Sequence, residues 1–216
     1  MKHKHTHYIY ASFAFLLFVA LGYMVKFYPE ALTEFDSSIQ TWVRGDLPAG
    51  LTRFFKTITI LGNTPVQAII AIVAVIWLYL HQYKSEAIFV GTSGVIASVM
   101  IVSLKYIYQR PRPSITHLLH AGGYSFPSGH SLGTFMILGA IAIVLAQRLE
   151  KKESQVAVYG ITGLLIALVG LSRIYVGVHY PTDVLAGFTL AFGLLNAIYP
   201  TYDRIRFEWR FQSKQK

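Results

Sequence analysis

The stretch that decides the fold class lies near the start of the chain, where residues 8–25 read YIYASFAFLLFVALGYMV and carry no charge. A helix needs roughly 17 to 25 mostly apolar residues to cross the hydrocarbon core of a bilayer, and this run is long enough. The sequence therefore predicts an all-α bundle of six transmembrane helices, organised as one domain over residues 1–216. The five further apolar runs are Pro65–Leu80, Ala87–Leu104, Leu132–Ala146, Val156–Leu171 and Val184–Tyr199.

The overall composition agrees with a membrane environment. Hydrophobic residues make up 54% of the 216 residues and charged residues only 13%, a balance that soluble domains do not reach. The chain contains no cysteine, which excludes disulfide bonds, thiolate catalysis and zinc bound by cysteine. Any chemistry must therefore come from other side chains.

The net charge of +9 is distributed in a way that indicates topology and not binding of nucleic acid. Its surplus lies in short segments beside the apolar runs, and loops rich in lysine and arginine stay in the cytoplasm. We therefore predict that both termini are cytoplasmic and that residues 26–64 and 105–130 lie on the outer face. The cations that support this orientation are Lys2, Lys4, Lys84, Arg148, Lys151, Lys152, Arg204, Arg206, Arg210, Lys214 and Lys216.

The first outer segment, Lys26–Thr64, predicts two short helices that lie flat in the headgroup region. Apolar residues recur at helical spacing on one side of the first helix, and Glu34, Asp36 and Gln40 occupy the other side. We interpret the pair as a packed lid, with an entrance for lipid as the alternative. The apolar positions are Leu32, Phe35, Ile39, Trp42 and Val43, then Leu51, Phe54, Phe55 and Ile58.

Three cations at the outer helix ends form the candidate binding cluster. Lys105 ends the third run, Arg112 follows in the second outer segment, and Arg173 ends the fifth run. Very few acidic residues lie near them, and the planar arginine fork together with the compact lysine charge suits a tetrahedral phosphoryl group. Ser128 and Gly129 begin the fourth helix, where free backbone amides and the helix dipole favour a bound anion.

Two histidines and one aspartate form the candidate catalytic cluster. His179 and Asp183 are four residues apart, about one helical turn, so the carboxylate can accept a hydrogen bond from one imidazole nitrogen. The other nitrogen is then free to attack phosphorus. His130 is the candidate that protonates the departing oxygen and later activates water. Because a two-metal site needs several bridging carboxylates and the outer clusters offer only Asp183, we expect no metal and no other cofactor.

Three motifs carry these residues in order along the chain. Lys105 to Pro113 reads Lys-x6-Arg-Pro, Pro127 to His130 reads Pro-Ser-Gly-His, and Ser172 to Asp183 reads Ser-Arg-x5-His-x3-Asp. The chain thereby resembles the type 2 phosphatidic acid phosphatase superfamily, by motif over runs three to six and by layout over its whole length. An earlier arginine, Arg110, stands at the wrong spacing and is left out of the motif.

The resemblance implies a helical bundle that hydrolyses a phosphate ester through a phosphohistidine on His179, without a metal ion. His130 would serve first as the acid and then as the base, and Asp183 would orient His179. The residues that would hold the phosphate are Lys105, Arg112, Ser128, Gly129 and Arg173.

The expected substrate comes from this kinship and from no single residue. The small bacterial members of the superfamily are the most similar in layout, which implies a cell-membrane enzyme that converts phosphatidylglycerophosphate to phosphatidylglycerol and inorganic phosphate. Removal of phosphate from undecaprenyl diphosphate is the alternative reaction. A non-enzymatic binder or transporter of lipid headgroups is the alternative from a different class.

Overall fold

The computed structural model describes residues 4–215, and in this part of the chain it contains eight α-helices and no strand. The helices are α1 (Lys4–Phe27), α2 (Thr33–Arg44), α3 (Ala49–Ile58), α4 (Thr64–Leu80), α5 (Lys84–Tyr108), α6 (Gly129–Ala146), α7 (Lys152–Tyr175) and α8 (Pro181–Phe211). Short 3₁₀ helices at Pro29–Leu32 and Thr59–Gly62 precede α2 and α4. Each of the six predicted apolar runs lies within one of the longer helices, which confirms the all-α class.

Five of these helices, α1, α5, α6, α7 and α8, are long and apolar enough to cross a membrane. The chain is therefore a multi-pass membrane protein. The remaining apolar helix, α4, has 17 residues, and it forms a pair with the preceding helical segment, 49–62, that is bent by 52°. The sixth predicted span rests on this bent pair, so the count of six stays a prediction.

The central helix of the bundle is α6, which contacts α4, α5, α7 and α8. Small residues let its neighbours approach closely. A Cβ atom added at Gly133 would lie 2.1 Å from the Oε1 atom of Gln67 on α4. One added at Gly187 of α8 would lie 3.0 Å from the backbone oxygen of Ser128. This close packing brings the start of α8 against the start of α6, where the candidate residues lie.

A buried carboxylate closes the end of the bundle that lies away from the candidate site. Glu86 at the start of α5 is 1% exposed, and its Oε1 atom accepts hydrogen bonds from Arg148 at 3.4 Å and Arg210 at 3.0 Å. Its Oε2 atom accepts a bond from Ser85 at 2.8 Å. Because a buried charge is stable only when it is paired, these bonds join the start of α5 to the end of α8 and to the segment after α6.

The two predicted helices of the first outer segment are present as α2 and α3. Asp36 and Gln40 are buried, at 2% and 6% exposure, whereas Phe35 and Trp42 are 45% and 82% exposed. Leu32 is also buried and Val43 packs against the buried side chains around Tyr175, so α2 contacts the body of the protein through both kinds of side chain, and its role as a lid or a lipid entrance stays a prediction. Its polar side chains find hydrogen-bond partners in the body of the protein, and its largest apolar side chains face outward.

Candidate active site

The turn between α7 and α8 presents His179. The amides of Val178 and His179 both donate to the carbonyl of Arg173, at 3.3 and 3.4 Å. Gly177 has a φ of +83°, and a Cβ atom there would lie 2.2 Å from Nη1 of Arg44, so the turn requires glycine. Since Arg44 belongs to α2, the turn is held by the first outer segment as well as by its own backbone.

His179 and Asp183 form the pair that the sequence predicts. Nδ1 of His179 lies 3.2 Å from Oδ2 of Asp183, and both side chains are buried. The same Oδ2 atom accepts a hydrogen bond from the amide of Tyr180 at 3.0 Å. With Nδ1 donating to the carboxylate, the lone pair of Nε2 faces Nη1 of Arg112 at 3.4 Å. The ring therefore keeps one nitrogen available for nucleophilic attack.

The electrostatic surroundings keep the His179 imidazole neutral. Burial is the main cause that lowers the pKa of His179 to about 4. The hydrogen bond and the charge of Asp183 raise this pKa, while the charges of Arg173 and Arg112 lower it further. A neutral ring at physiological pH has the free lone pair that a nucleophile needs.

Six of the eight predicted site residues line one cavity of about 330 Å³. Two of its three cations are held in place by backbone carbonyls, which orient a positive charge without cancelling it. Arg112 donates through Nη1 to the carbonyl of Val178 at 2.7 Å and through Nη2 to that of Gly122 at 2.8 Å. Lys105 donates to the carbonyl of Tyr124. The six residues are Lys105, Arg112, Gly129, His130, Arg173 and His179.

Arg173 gives the clearest indication that the cavity takes an anion. Its side chain is 5% exposed, and its Nη1 atom donates to Oγ1 of Thr59 at 2.7 Å. Its Nε atom is buried and has no hydrogen-bond partner among residues 4–215. A buried donor without a partner costs roughly 1 to 3 kcal/mol, and an oxyanion bound in the cavity would supply the missing acceptor.

At the start of α6, Gly129 lies at the cavity and Ser128 lies behind it, and phosphate binding by either residue stays a prediction. Gly129 lines the cavity, and its amide has no hydrogen-bond partner in the described part of the chain. Ser128 is buried behind the cavity: its amide donates to the carbonyl of Asp183 at 3.0 Å, and its Oγ atom accepts from the amide of Ser131 at 3.3 Å. The amide of Ser128, which was predicted to bind phosphate, is thus already bonded to α8. Ser128 caps α6 and joins it to α8.

His130 lies in the first turn of α6 and lines the same cavity as His179. Its Nε2 atom is 3.0 Å from Oδ1 of Asn63, an oxygen that can only accept, so Nε2 carries the proton of this bond. The ring packs on Gly62, where an added Cβ atom would lie 2.5 Å from Cδ2 of His130. Asn63 therefore orients His130 much as Asp183 orients His179.

Arg110 joins the site although its spacing keeps it out of the motif. Its guanidinium donates to Oδ1 of Asp183 and to Oδ2 of Asp36, both at 2.7 Å. The motif spacing gives no sign of this contact, nor of the contacts that Thr59 and Asn63 make. Two features of the sequence could have indicated the contact between Arg110 and Asp36: Arg110 had no assigned role in the second outer segment, and Asp36 is an aspartate in α2 that needs a partner.

An apolar groove leads away from the cavity between α4 and α5. It has a volume of about 480 Å³ and shares residues of both helices with the cavity, among them Thr64 and Gly94. Its outer part is lined by isoleucine and valine side chains that are more than half exposed. The cavity therefore continues into a surface that lipid chains can cover. These side chains are Ile72, Ile76, Val95 and Val99.

Comparison with known sequences adds a family and two named relatives. The family model of the PAP2 superfamily matches residues 86–207, more than half of the chain. A phosphatidylglycerophosphatase B of Bacillus subtilis is 44% identical over 93 residues, which cover 43% of this chain and 45% of the relative. The undecaprenyl-diphosphatase BcrC of Bacillus subtilis is 32% identical over 126 residues, which cover 56% of this chain and 60% of the relative. The chain thus spans about half the length of these curated relatives.

Two solved structures share the fold. A transmembrane PAP2-type phosphatidylglycerolphosphate phosphatase from Bacillus subtilis gives a TM-score of 0.83 at 26% identity and covers 90% of this chain and 96% of that chain. LpxE from Aquifex aeolicus gives a TM-score of 0.61 at 25% identity and covers 76% of this chain and 96% of that chain. The similarity therefore extends beyond the region that the family model matches.

The buried position of His179 predicts a low pKa that can be measured directly. In ¹⁵N-histidine NMR spectra of the protein in detergent, the His179 signals, identified by their loss in His179→Gln, should titrate with a midpoint near 4 and not near the ordinary 6.5. Asp183→Asn removes the carboxylate that raises this pKa, so the midpoint should fall further. A wild-type midpoint at or above 6.5 would contradict the buried geometry.

Proposed function

Because the chain belongs to the PAP2 superfamily, we propose that it is a membrane lipid phosphate phosphatase that hydrolyses phosphatidylglycerophosphate to phosphatidylglycerol and inorganic phosphate. The observation that carries this proposal is the meeting of three cations and the neutral His179 in one cavity that opens into an apolar groove. The named phosphatidylglycerophosphatase B relative and the similar solved structure support the choice of substrate.

In the first step, Nε2 of His179 attacks the phosphorus atom of the terminal phosphate. An N–P bond forms while the bond from phosphorus to the ester oxygen breaks. The negative charge of the bound phosphate favours the protonated form of His130. Because Nε2 of His130 donates to Asn63, its Nδ1 gives the proton to that oxygen, and phosphatidylglycerol leaves. Asp183 keeps its hydrogen bond to Nδ1 and stabilises the positive charge that the His179 ring acquires.

In the second step, His130 acts as a base and takes a proton from a water molecule, whose oxygen attacks the phosphorus atom. The N–P bond breaks, its electron pair returns to Nε2 of His179, and inorganic phosphate leaves. One residue serves as acid and then as base because the second step reverses the proton transfer of the first. The hydrogen bond from His130 to Asn63 keeps the ring in place for both.

Fixed positive charge stabilises both transition states. Lys105, Arg112 and Arg173 hold the phosphoryl oxygens, and the free amide of Gly129 adds a donor. Such preorganised charges account for much of the catalysis of phosphoryl transfer, because no solvent has to reorganise when charge moves. The unpaired Nε atom of Arg173 gains its acceptor from a phosphoryl oxygen.

The position of the cavity favours a phosphate that is attached to a lipid. The cavity and the apolar groove between α4 and α5 share Thr64, Gln67 and Gly94, so a headgroup in the cavity leaves its acyl chains against the groove. A lipid reaches such a site by moving sideways within its leaflet. A soluble phosphate ester would gain nothing from the apolar wall.

A second candidate substrate is undecaprenyl diphosphate. The apolar groove continues towards the far end of the bundle, since the next apolar hollow shares Val75, Gly91 and Val95 with it and extends to Trp209 near the end of α8. That length suits a long prenyl chain, and the similarity to an undecaprenyl-diphosphatase agrees with this reading. Phosphate release measured in parallel on phosphatidylglycerophosphate, undecaprenyl diphosphate and phosphatidic acid separates the two candidates.

Loss of the nucleophile distinguishes an enzyme from a headgroup binder or transporter. In His179→Ala the cations remain, so we expect binding of phosphatidylglycerophosphate in detergent to persist while phosphate release falls by at least about 10⁴-fold. His81→Ala, at the exposed end of α4 away from the cavity, is the matched control and should keep full activity. Phosphate release by His179→Ala would defeat the mechanism, and binding without release by the wild type would favour the binder.

We propose that this single membrane-embedded domain lies in a bacterial cell membrane with both termini in the cytoplasm and the cavity on the outer face. The surplus of lysine and arginine beside the opposite helix ends supports this orientation. Outer placement would give the cavity access to lipids of the outer leaflet.

Single cysteines test the orientation without background, because the chain contains none. Gly122→Cys, at an exposed loop position with open space around its Cβ, should react with a thiol reagent that cannot cross membranes. Lys152→Cys, at the start of α7, should react only after the membrane is permeabilised. The reverse pattern of labelling would put the cavity in the cytoplasm.

A further inference from the structure

Arg110 belongs to a buried ionic network behind His179. Its Nη1 atom donates to Oδ1 of Asp183 and its Nη2 atom to Oδ2 of Asp36, both at 2.7 Å. The side chains of Arg110, Asp36 and Asp183 are 7%, 2% and 0% exposed. Neither Arg110 nor Asp36 belongs to the lining of the phosphate cavity. The network therefore touches the reaction only through Asp183.

The network fixes the rotation of the Asp183 carboxylate. Oδ1 accepts from Arg110, while Oδ2 accepts from His179 and from the amide of Tyr180. Each oxygen thus has its own donors, and the carboxylate plane has one preferred direction. Without Arg110, Oδ1 would lose its charged donor in a buried place, and the carboxylate, still bonded to Nδ1 of His179 through Oδ2, would hold the ring less firmly in one orientation.

The network also sets the charge that faces His179. Because Arg110 lies between two carboxylates, the three groups together carry one net negative charge. That charge stabilises the positive ring that forms when Nε2 bonds to phosphorus. If Asp36 were neutral, the charge of Arg110 would cancel that of Asp183. Asp36 is thus the counter-ion that keeps the charge of Asp183 available.

The shape of the pocket around Arg110 requires a guanidinium group. Its Cζ atom lies 3.9 Å from the centre of the Tyr180 ring, so the ring covers one face of the planar group. Nη1 also donates to Oγ1 of Thr182 at 2.7 Å. A planar fork can stack on the ring and reach two carboxylates and a hydroxyl group at once, which the ammonium group of lysine cannot do.

We propose that Arg110 and Asp36 are positioning residues of the phosphoryl transfer, which act through Asp183 to fix the orientation and the charge environment of His179. The inference rests on the proposed function for the role of His179, while the network itself is independent of the substrate. It also gives α2 a part in the chemistry, because Asp36 of α2 accepts a hydrogen bond from the amide of Thr182 at 2.9 Å at the start of α8.

Opposite charge changes in the network should move the NMR titration of His179 in opposite directions. Asp36→Asn leaves Arg110 uncompensated, which disfavours the protonated ring and lowers the midpoint. Arg110→Gln leaves Asp183 uncompensated, which favours the protonated ring and raises the midpoint. The double variant has the wild-type net charge, so its midpoint should return towards the wild-type value. The other charged or titratable groups that face His179 are unchanged in all three variants: Lys105, Arg112, His130 and Arg173.

Phosphate release from phosphatidylglycerophosphate in detergent is the second readout. Arg110→Gln and the double variant should lose kcat by roughly 10- to 100-fold, because orientation is lost even where charge is restored. KM should stay near the wild-type value, since neither residue lines the cavity. Arg110→Lys should remain slow. Glu34→Gln on α2 and Arg53→Gln on α3, both exposed, are matched controls that should keep wild-type kcat.

The inference would be overturned if Arg110→Gln kept the wild-type kcat. It would also be overturned if the His179 midpoints of Asp36→Asn and Arg110→Gln moved in the same direction or did not move. Thermal unfolding in detergent identifies any variant that has lost its fold. If Arg110→Gln does not fold, Arg110→Lys, which keeps the buried charge, is measured instead. Wild-type kcat in Arg110→Lys would also overturn the inference. Activity in His179→Ala would defeat the proposed function instead, and the NMR midpoints would still test the network.

Discussion

The buried carboxylate of Asp183 holds the helix ends around the cavity in one arrangement. Its side chain accepts hydrogen bonds from His179 and Arg110, and its backbone carbonyl accepts one from the amide of Ser128. An ionised carboxylate without contact to water is strongly unfavourable unless donors surround it, so these partners must be in place together. One group therefore fixes the start of α6, the start of α8, the turn before α8 and the loop after α5.

The first outer segment is a structural part of the site. Three of its polar residues each form a hydrogen bond with one residue of the site. The helix α2 can pack through its polar side because its buried polar groups have hydrogen-bond partners. Its large apolar side chains, such as Trp42, are then left on the outside, where a bilayer surface suits them. The three pairs are Asp36 with Arg110, Thr59 with Arg173, and Asn63 with His130.

Hydropathy predicted the long helices well because every span meets the same apolar solvent. The last apolar run, Val184–Tyr199, lies within a helix that continues to Phe211, because the final turns carry charges that bind groups of the protein. Motif spacing identified the residues that line one cavity, but it did not identify the residues that hold them in place by hydrogen bonds. Arg110 and Asn63 meet their partners across 74 and 67 positions of the chain, and a single sequence has no periodic signal for such contacts. Nor could it show that the amide of Ser128 is already taken by α8.

The shortness of α4 has a consequence for the depth of the cavity. At 17 residues and 1.5 Å per residue this helix is about 26 Å long, whereas the hydrocarbon core of a bilayer is roughly 30 Å thick. With α4 as the predicted sixth span, such a hydrophobic mismatch would be relieved by local thinning of the bilayer or by a helix end that sinks below the interface. Thr64, the first residue of α4, lines the cavity. Under the proposed function, either response would bring the glycerol backbone of a lipid level with the cavity mouth, so that the lipid could present its phosphate without being lifted out of its leaflet.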